Sequence, residues 1–189
     1  GKEVTLTATA NEGSYFSSWQ GCDEEDGETC VVVGRMRNVK VTANFAEDLA
    51  LQDADLSDDI KNCLADQNIE LTEKTSSVTE LSCDGDVVGF GGEFDSTGIE
   101  LLANLTDLTV KNTTIDTLSN LTKLNKLKTL KLNDMGLTSV LDLRDLNSET
   151  LSTLDLQNNP EILCSDVATL EEVFGKETVY VDSQQCPSL

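Results

Sequence analysis

The stretch Phe16–Cys30, FSSWQGCDEEDGETC, gathers the chain's single tryptophan, two cysteines and five carboxylates. Residue types at this density fit three kinds of chemistry: a calcium or other metal loop, a recognition patch, or a disulfide-closed hairpin with solvated acids at its tip. A second acidic run, Asp53–Asp59, raises the calcium question again. Neither run has the D-x-[DN]-x-[DN]-G spacing with a distal glutamate that a calcium loop of that type needs, so no metal site is assigned. The 189 residues include no histidine, which removes Ser-His-Asp and Cys-His catalysis and most catalytic zinc sites. Carboxylate-only or metal-assisted hydrolysis is left. Glycosidase-like work needs two carboxylates held across the scissile bond and aromatic sugar platforms, yet aromatic residues make up 4% of the chain. No carboxylate spacing stands out, so the chain is read as non-enzymatic and without a cofactor.

Thirteen basic and 35 acidic residues leave a formal charge of −22. Phosphate binding needs a concentrated positive surface, so a nucleic-acid partner is excluded, and an anionic membrane surface is unfavourable. No window approaches eighteen consecutive apolar residues, the length of a membrane-spanning helix. No signal peptide is visible, and the chain begins at Gly1, so this says nothing about export. Lys111, Lys123, Lys126, Lys128 and Lys131 cluster in this acidic background. They read either as local charge balance or as a patch that receives or steers an acidic partner.

The cysteines are Cys22, Cys30, Cys63, Cys83, Cys164 and Cys186, with no C-x-x-C pair among them. An even count at these spacings reads as disulfides and an oxidising compartment. Neighbour pairing is expected (Cys22–Cys30, Cys63–Cys83 and Cys164–Cys186), because each pair then lies inside one structural unit.

The elements that must position these residues begin with strands. In VTLTATA, Val4, Leu6 and Ala8 alternate with Thr5, Thr7 and Thr9, and VKVTANF repeats the device with Val39, Val41, Ala43 and Phe45. YFSSW and CVVVG lie between, giving a small β module over residues 1–46 with too few large apolar residues for a generous core. A staple is expected there, with Phe16 and Trp19 as most of the core. Gly1, Val4, Leu6, Ala8, Gly13, Phe16, Trp19, Gly21, Cys22, Cys30, Val32, Val39, Val41, Ala43 and Phe45 together resemble the bacterial internalin B-repeat and its divergent relatives, small β-grasp-like modules of surface proteins. Members of that family usually carry a further strand or hairpin ahead of the position of Gly1, so the resemblance implies a partial module.

Residues 47–83 read as a helical cap and first strand. Leu56, Ile60, Cys63 and Leu64 fall on one helical face, with Ser57 as N-cap and Asp58 and Asp59 in the first turn. Beyond it the pattern L-x-x-L-x-L-x-x-N-x-L recurs in LTDLTVKNTTI (105–115), LKTLKLNDMGL (127–137) and LSTLDLQNNPEI (151–162), with a fainter copy in VTELSCDGDVV from Val78. Leu81, Leu108, Leu130 and Leu154 recur every 22 to 27 residues. This resembles the leucine-rich repeat family. The resemblance implies an α/β solenoid of about four repeats on a parallel sheet, over residues 84–163, with disulfide-tied caps. Residues 164–189 are the C-terminal cap, in which Ser165 is expected to cap a helix whose inward face is Leu170, Val173 and Phe174. At the position where the family's asparagine bonds the turn backbone, only Asn159 fits; Asp86, Thr113 and Met135 stand there in the other copies.

The resemblance further implies that the variable strand positions face outward on a concave sheet and bind a protein partner. They are Glu80, Ser82 and Asp84; Asp107, Thr109 and Lys111; Thr129, Lys131 and Asn133; Thr153, Asp155 and Gln157. None is aromatic, although aromatic anchors dominate binding hot spots. Two other features have a structural and a functional reading. Phe90 and Phe94, set among glycines, either fold under the cap or form an exposed apolar anchor. The sequons at Asn104, Asn112 and Asn120 are read as products of the repeat pattern rather than glycan sites. The expected whole is a non-enzymatic interaction or adhesion module of an exported bacterial surface protein, extracellular or at the cell surface. A spacer displaying other domains, or a glycan-binding module, are the alternatives. Known internalins place the B repeats after the leucine-rich region; here the order is reversed.

Overall fold

The computed structural model describes residues 3–33, 39–90, 92–182 and 186. Gly1 of the apolar pattern, Gly34, Gly91 and residues 183–185 and 187–189 of the expected cap lie outside these residues. The chain divides into two compact units, Gly1–Leu49 and Ala50–Leu189.

The first unit is all β: β1 (Glu3–Thr7), β2 (Ser14–Gln20), β3 (Glu24–Asp26), β4 (Thr29–Val33) and β5 (Thr42–Glu47). β4 lies between β1 and β3 in one antiparallel sheet, and β2 pairs with β5 in another. Ala8, Phe16, Trp19 and Cys30 form the buried centre, with Cys22, Val32, Val41 and Ala43 packed around it. The Phe16 and Trp19 rings stand 5.4 Å apart and tilted, a favourable aromatic geometry. The Cys22–Cys30 disulfide ties the start of the β3–β4 hairpin to β4. Alternation in β1 assigns the faces correctly: Leu6 pairs with Cys30 and Val4 with Val32, and cross-strand partners share a face. Yet Val4 and Leu6 are 52% and 36% exposed. β1 is one of the two edge strands of its sheet, and its apolar side chains hang past the rim of a core centred on Cys30 and Trp19. Phe45 is likewise largely exposed, meeting Phe16 edge-on.

The second unit is mixed α/β. It comprises α1 (Asp58–Asp66), β6 (Glu80–Asp84), the single-turn α2 (Gly85–Val88), β7 (Glu93–Phe94), β8 (Asp107–Lys111), β9 (Thr114–Ile115), β10 (Thr129–Asn133), β11 (Thr153–Asp155), α3 (Cys164–Phe174) and β12 (Val179–Tyr180). Five strands form a parallel sheet in the order β12-β11-β10-β8-β6, and β7 pairs with β9 in a small parallel ribbon. Leu81, Leu108, Leu130, Leu154 and Val179 lie in one register row, with Cys83, Val110 and Leu132 in the next. All are buried. Their core is closed by Ile99, Leu121 and Leu143 from 3-10 turns. Burying one face of every strand in this way fixes the register, because a one-residue slip would turn every leucine outward.

The ends are tied down. Ser57 Oγ accepts from Ile60 N–H at 3.2 Å and caps α1, with Asp58 and Asp59 in the first turn. Ile60, Cys63 and Leu64 are buried, and Cys63 is bonded to Cys83 of β6. At the far end Cys164 is bonded to Cys186. Two expectations for α3 fail. The helix begins at Cys164 with Leu163 as the capping residue, so Ser165 lies inside it and donates to the Asp166 carboxylate at 3.3 Å instead. The inward face is Asp166, Val167 and Leu170, while Val173 is 43% exposed. Leu170 faces inward as expected, whereas Val173 does not. Phe94 is fully buried and the half-buried Phe90 ring stacks edge-on against it at 5.4 Å, so this pair belongs to the core rather than to an exposed anchor.

Candidate interaction face

The second unit leaves one side of its parallel sheet open, and the twelve variable positions lie there, three per strand or strand extension. Glu80, Asp107, Thr129 and Thr153 form one register row; Ser82, Thr109, Lys131 and Asp155 the next; Asp84, Lys111 and Asn133 the third. Gln157 follows β11, where its N–H donates to Asp155 Oδ1 at 3.1 Å. All twelve are exposed or half-buried, while the residues between them are buried.

The sheet adds a residue that the repeat pattern does not include. β12 continues the array beyond β11, with Val179 opposite Leu154 and Tyr180 opposite Asp155. Val179 therefore points into the core and Tyr180 stands on the open face, 48% exposed, at the end of the Ser82–Thr109–Lys131–Asp155 row. The face thus has an aromatic residue at its edge, beside the twelve non-aromatic positions. Its signal is the alternation in TVYV, residues 178–181, after Gly175, which ends α3.

Electrostatics divides the face. Lys111 Nζ lies 3.0 Å from Asp84 Oδ2, and Asn112 Nδ2 donates to Asp84 Oδ1 at 2.8 Å. The Asn112 amide, with the Lys111 ammonium next, holds the Asp84 carboxyl below its ordinary 3.8. Asn133 Nδ2 donates to Asp155 Oδ1 at 3.0 Å. These residues satisfy one another. Lys131, by contrast, is exposed and makes no ion pair among the described residues. Two members of the lysine cluster pair with acids, Lys111 with Asp84 and Lys123 with Glu100 at 3.0 Å, while Lys126 donates to the neutral Asn104 Oδ1 at 2.7 Å. Lys111 and Lys131 are its members on the open face.

The turns leaving the strands set this geometry. Asn112, Asp134 and Asn158, each four residues after the central leucine of its strand (Leu108, Leu130 and Leu154), have φ of +56°, +55° and +62°. Asn and Asp tolerate this left-handed conformation better than other non-glycine residues. The corresponding residue after β6 is Gly85, where a Cβ would collide with the Asn112 carbonyl of the next turn. Asn159 follows Asn158 and is fully buried. Its Oδ1 accepts from Met135 N–H at 2.9 Å and Leu137 N–H at 3.2 Å, and its Nδ2 donates to Leu132 O at 2.7 Å and Leu156 O at 2.9 Å. One side chain so satisfies the turn backbone of two successive strands.

The sequon amides of Asn104, Asn112 and Asn120 donate to Ser76 O, Asp84 Oδ1 and Ser96 Oγ at 2.9, 2.8 and 3.0 Å. Their nitrogens are structural. Among the described residues no group of three or more His, Cys, Asp or Glu side chains could hold a metal ion. No described helix is long and apolar enough to cross a membrane.

Residues 1–49 match the divergent InlB B-repeat domain family, in agreement with the residue pattern of the first unit. No curated protein matches the chain.

Proposed function

We propose that this chain is an interaction module of an exported bacterial surface protein, in which residues 50–189 form a short leucine-rich repeat array that docks a protein partner on its open sheet face. The observation that carries the reading is Tyr180, an exposed aromatic in register with Lys131 and Asp155 on a face built from four repeating strand units. Aromatic side chains at interfaces supply large contact area and are enriched among hot spots. The B-repeat match and three disulfides support a location outside the cytoplasm or at the cell surface.

Alanine at Tyr180 and Lys131 removes side chains that are exposed and carry no core packing. The double variant should keep the unfolding midpoint of the parent and lose at least tenfold in affinity for a partner captured from cell-surface material, a change of about 1.4 kcal/mol. Unchanged affinity in a folded double variant rules out this face.

A further inference from the structure

An aspartate followed by glycine is open to attack by its own backbone, because the glycine nitrogen has no Cβ beside it to block a close approach. The chain has two such steps, Asp26–Gly27 and Asp84–Gly85. The fold treats them oppositely.

Asp84 is locked. Its Oδ1 accepts from Asn112 Nδ2 at 2.8 Å and from Asp86 N–H at 3.1 Å, and its Oδ2 lies 3.0 Å from Lys111 Nζ. Gly85 is pressed against the Asn112 carbonyl of the next turn. The carboxyl group and the glycine nitrogen cannot turn toward each other without breaking these contacts.

Asp26 is held by much less. It ends β3, and the Asp26–Thr29 pair closes a two-residue turn of Gly27 and Glu28. Gly27 has φ of +54° and Glu28 a negative φ, the pattern of a tight hairpin turn with glycine first. Asp26 and Gly27 are both exposed. Among the described residues no group bonds the Asp26 carboxylate or Gly27 N–H. Nothing lies within 4 Å of the place where a Gly27 Cβ would stand. Glu28 differs, since its carbonyl accepts from Ala8 N–H at 2.8 Å. The Asp26–Gly27 peptide is therefore the free pivot of the tip. β3 lies at the opposite edge of its sheet from β1.

We propose that Asp26–Gly27 is a site of spontaneous isomerisation, in which the backbone at the hairpin tip is rerouted through the Asp26 side chain. The Gly27 nitrogen attacks Asp26 Cγ. The N–Cγ bond forms, and the amide proton and the carboxyl hydroxyl leave as water. Water then reopens the succinimide ring. Attack at Cγ restores aspartate. Attack at the α-carbonyl leaves isoaspartate, with the chain running through Cβ and Cγ and the free carboxylate on Cα. One water is lost and one regained, so nothing is oxidised or reduced and the final mass is unchanged. The backbone gains one methylene where Asp26 faces Thr29, which unpairs the tip. The Cys22–Cys30 disulfide and the 2.9 Å bond from Val33 N–H to Asp23 Oδ2 keep the rest of the hairpin attached. The product is a modified loop in an otherwise intact unit, and its fraction records the age of the molecule.

The test incubates the full, disulfide-intact chain at physiological temperature for weeks. Peptides are then mapped by liquid chromatography with electron-transfer mass spectrometry, which distinguishes isoaspartyl from aspartyl forms. Isoaspartate at position 26 should accumulate with first-order kinetics, alongside a minor species lighter by one water. Its rate should exceed that at Asp84 by at least about tenfold, the factor that one hydrogen bond to a charged group carries. Asp26→Glu keeps the charge on an exposed side chain but would need a larger ring, and should abolish the signal. No isoaspartate at position 26, over an interval in which a linear peptide of residues 23–29 converts, overturns the proposal. So do equal rates at Asp26 and Asp84, or a signal that persists in Asp26→Glu.

Discussion

Asn159 is the residue on which the sheet's geometry depends most heavily. It makes five backbone hydrogen bonds from a position with no solvent exposure. Each buried partner left unsatisfied costs about 1–3 kcal/mol. Asn159→Ala should therefore destabilise the second unit by about 3 kcal/mol or more, read from the urea midpoint. Asn159→Asp, which keeps the acceptor for Met135 and Leu137 but loses both donors, should fall between. Asp84 gives a pH signature at the same scale. Its carboxyl is held low first by the Asn112 amide and then by Lys111, and Asp95 is held low by the Thr97 hydroxyl and N–H. Groups with depressed values bind fewer protons folded than unfolded between the folded and the ordinary value, so their full contribution is present at neutral pH, above both. It disappears as the pH falls below 3.8, the ordinary value, through the lower folded values. Unfolding midpoints measured from pH 6 downward should drop in that acid window, and Asp84→Asn should reduce the drop. Both effects require knowing which side chains meet. Asn159 is recognisable from its place in the repeat, but nothing in the linear order says that Asn112 will reach back 28 positions to Asp84.

Strands and caps were legible because their signals are periodic. Leucines spaced by two within a unit and by 22 to 27 between units leave one arrangement that buries them all. Ser57 followed by two aspartates fixes the start of α1. The signal failed where tertiary packing outweighs local preference. Ser165 has the chemistry of a cap, but Asp166 is drawn to Val140 N–H at 3.1 Å and Ser139 Oγ at 2.7 Å, and the helix begins one residue ahead of Ser165. β1 shows the other limit: alternation specifies a face, not whether anything lies beside it. Two predictions belong to this scale. Gly85→Ala should destabilise the turn after β6 more than a typical glycine-to-alanine change, because the added carbon meets backbone rather than a flexible side chain; thermal unfolding measures this against Gly92→Ala, where space is open. Replacing Cys63 and Cys83 by alanine should cost about 2–4 kcal/mol and speed amide exchange in α1 and β6 more than in β10.

At the scale of the molecule, charge and architecture point the same way. The chain carries 35 acidic residues against 13 basic ones, and the parallel strands of its second unit set exposed and half-buried side chains in register rows on one sheet face. The acidic stretch Phe16–Cys30 becomes scaffold in this account. Cys22–Cys30 closes the hairpin, Phe16 and Trp19 are buried, and Asp23 accepts from Val33 N–H at 2.9 Å. The twelve face positions were implied by the repeat resemblance, whereas Tyr180 was not, because β12 is a two-residue strand lying outside the repeat. The docking claim is tested most directly by site-specific photo-crosslinking. A photoreactive residue is placed at Thr109, in the middle of the face, or at Asp142, exposed on the 3-10 turn Leu141–Asp145 away from the strands, and the chain is exposed to cell-surface material. The account predicts a discrete adduct from position 109 that is lost in the Tyr180→Ala, Lys131→Ala background, and none from position 142. An adduct from position 142 alone, or one from 109 that survives both substitutions, would contradict it.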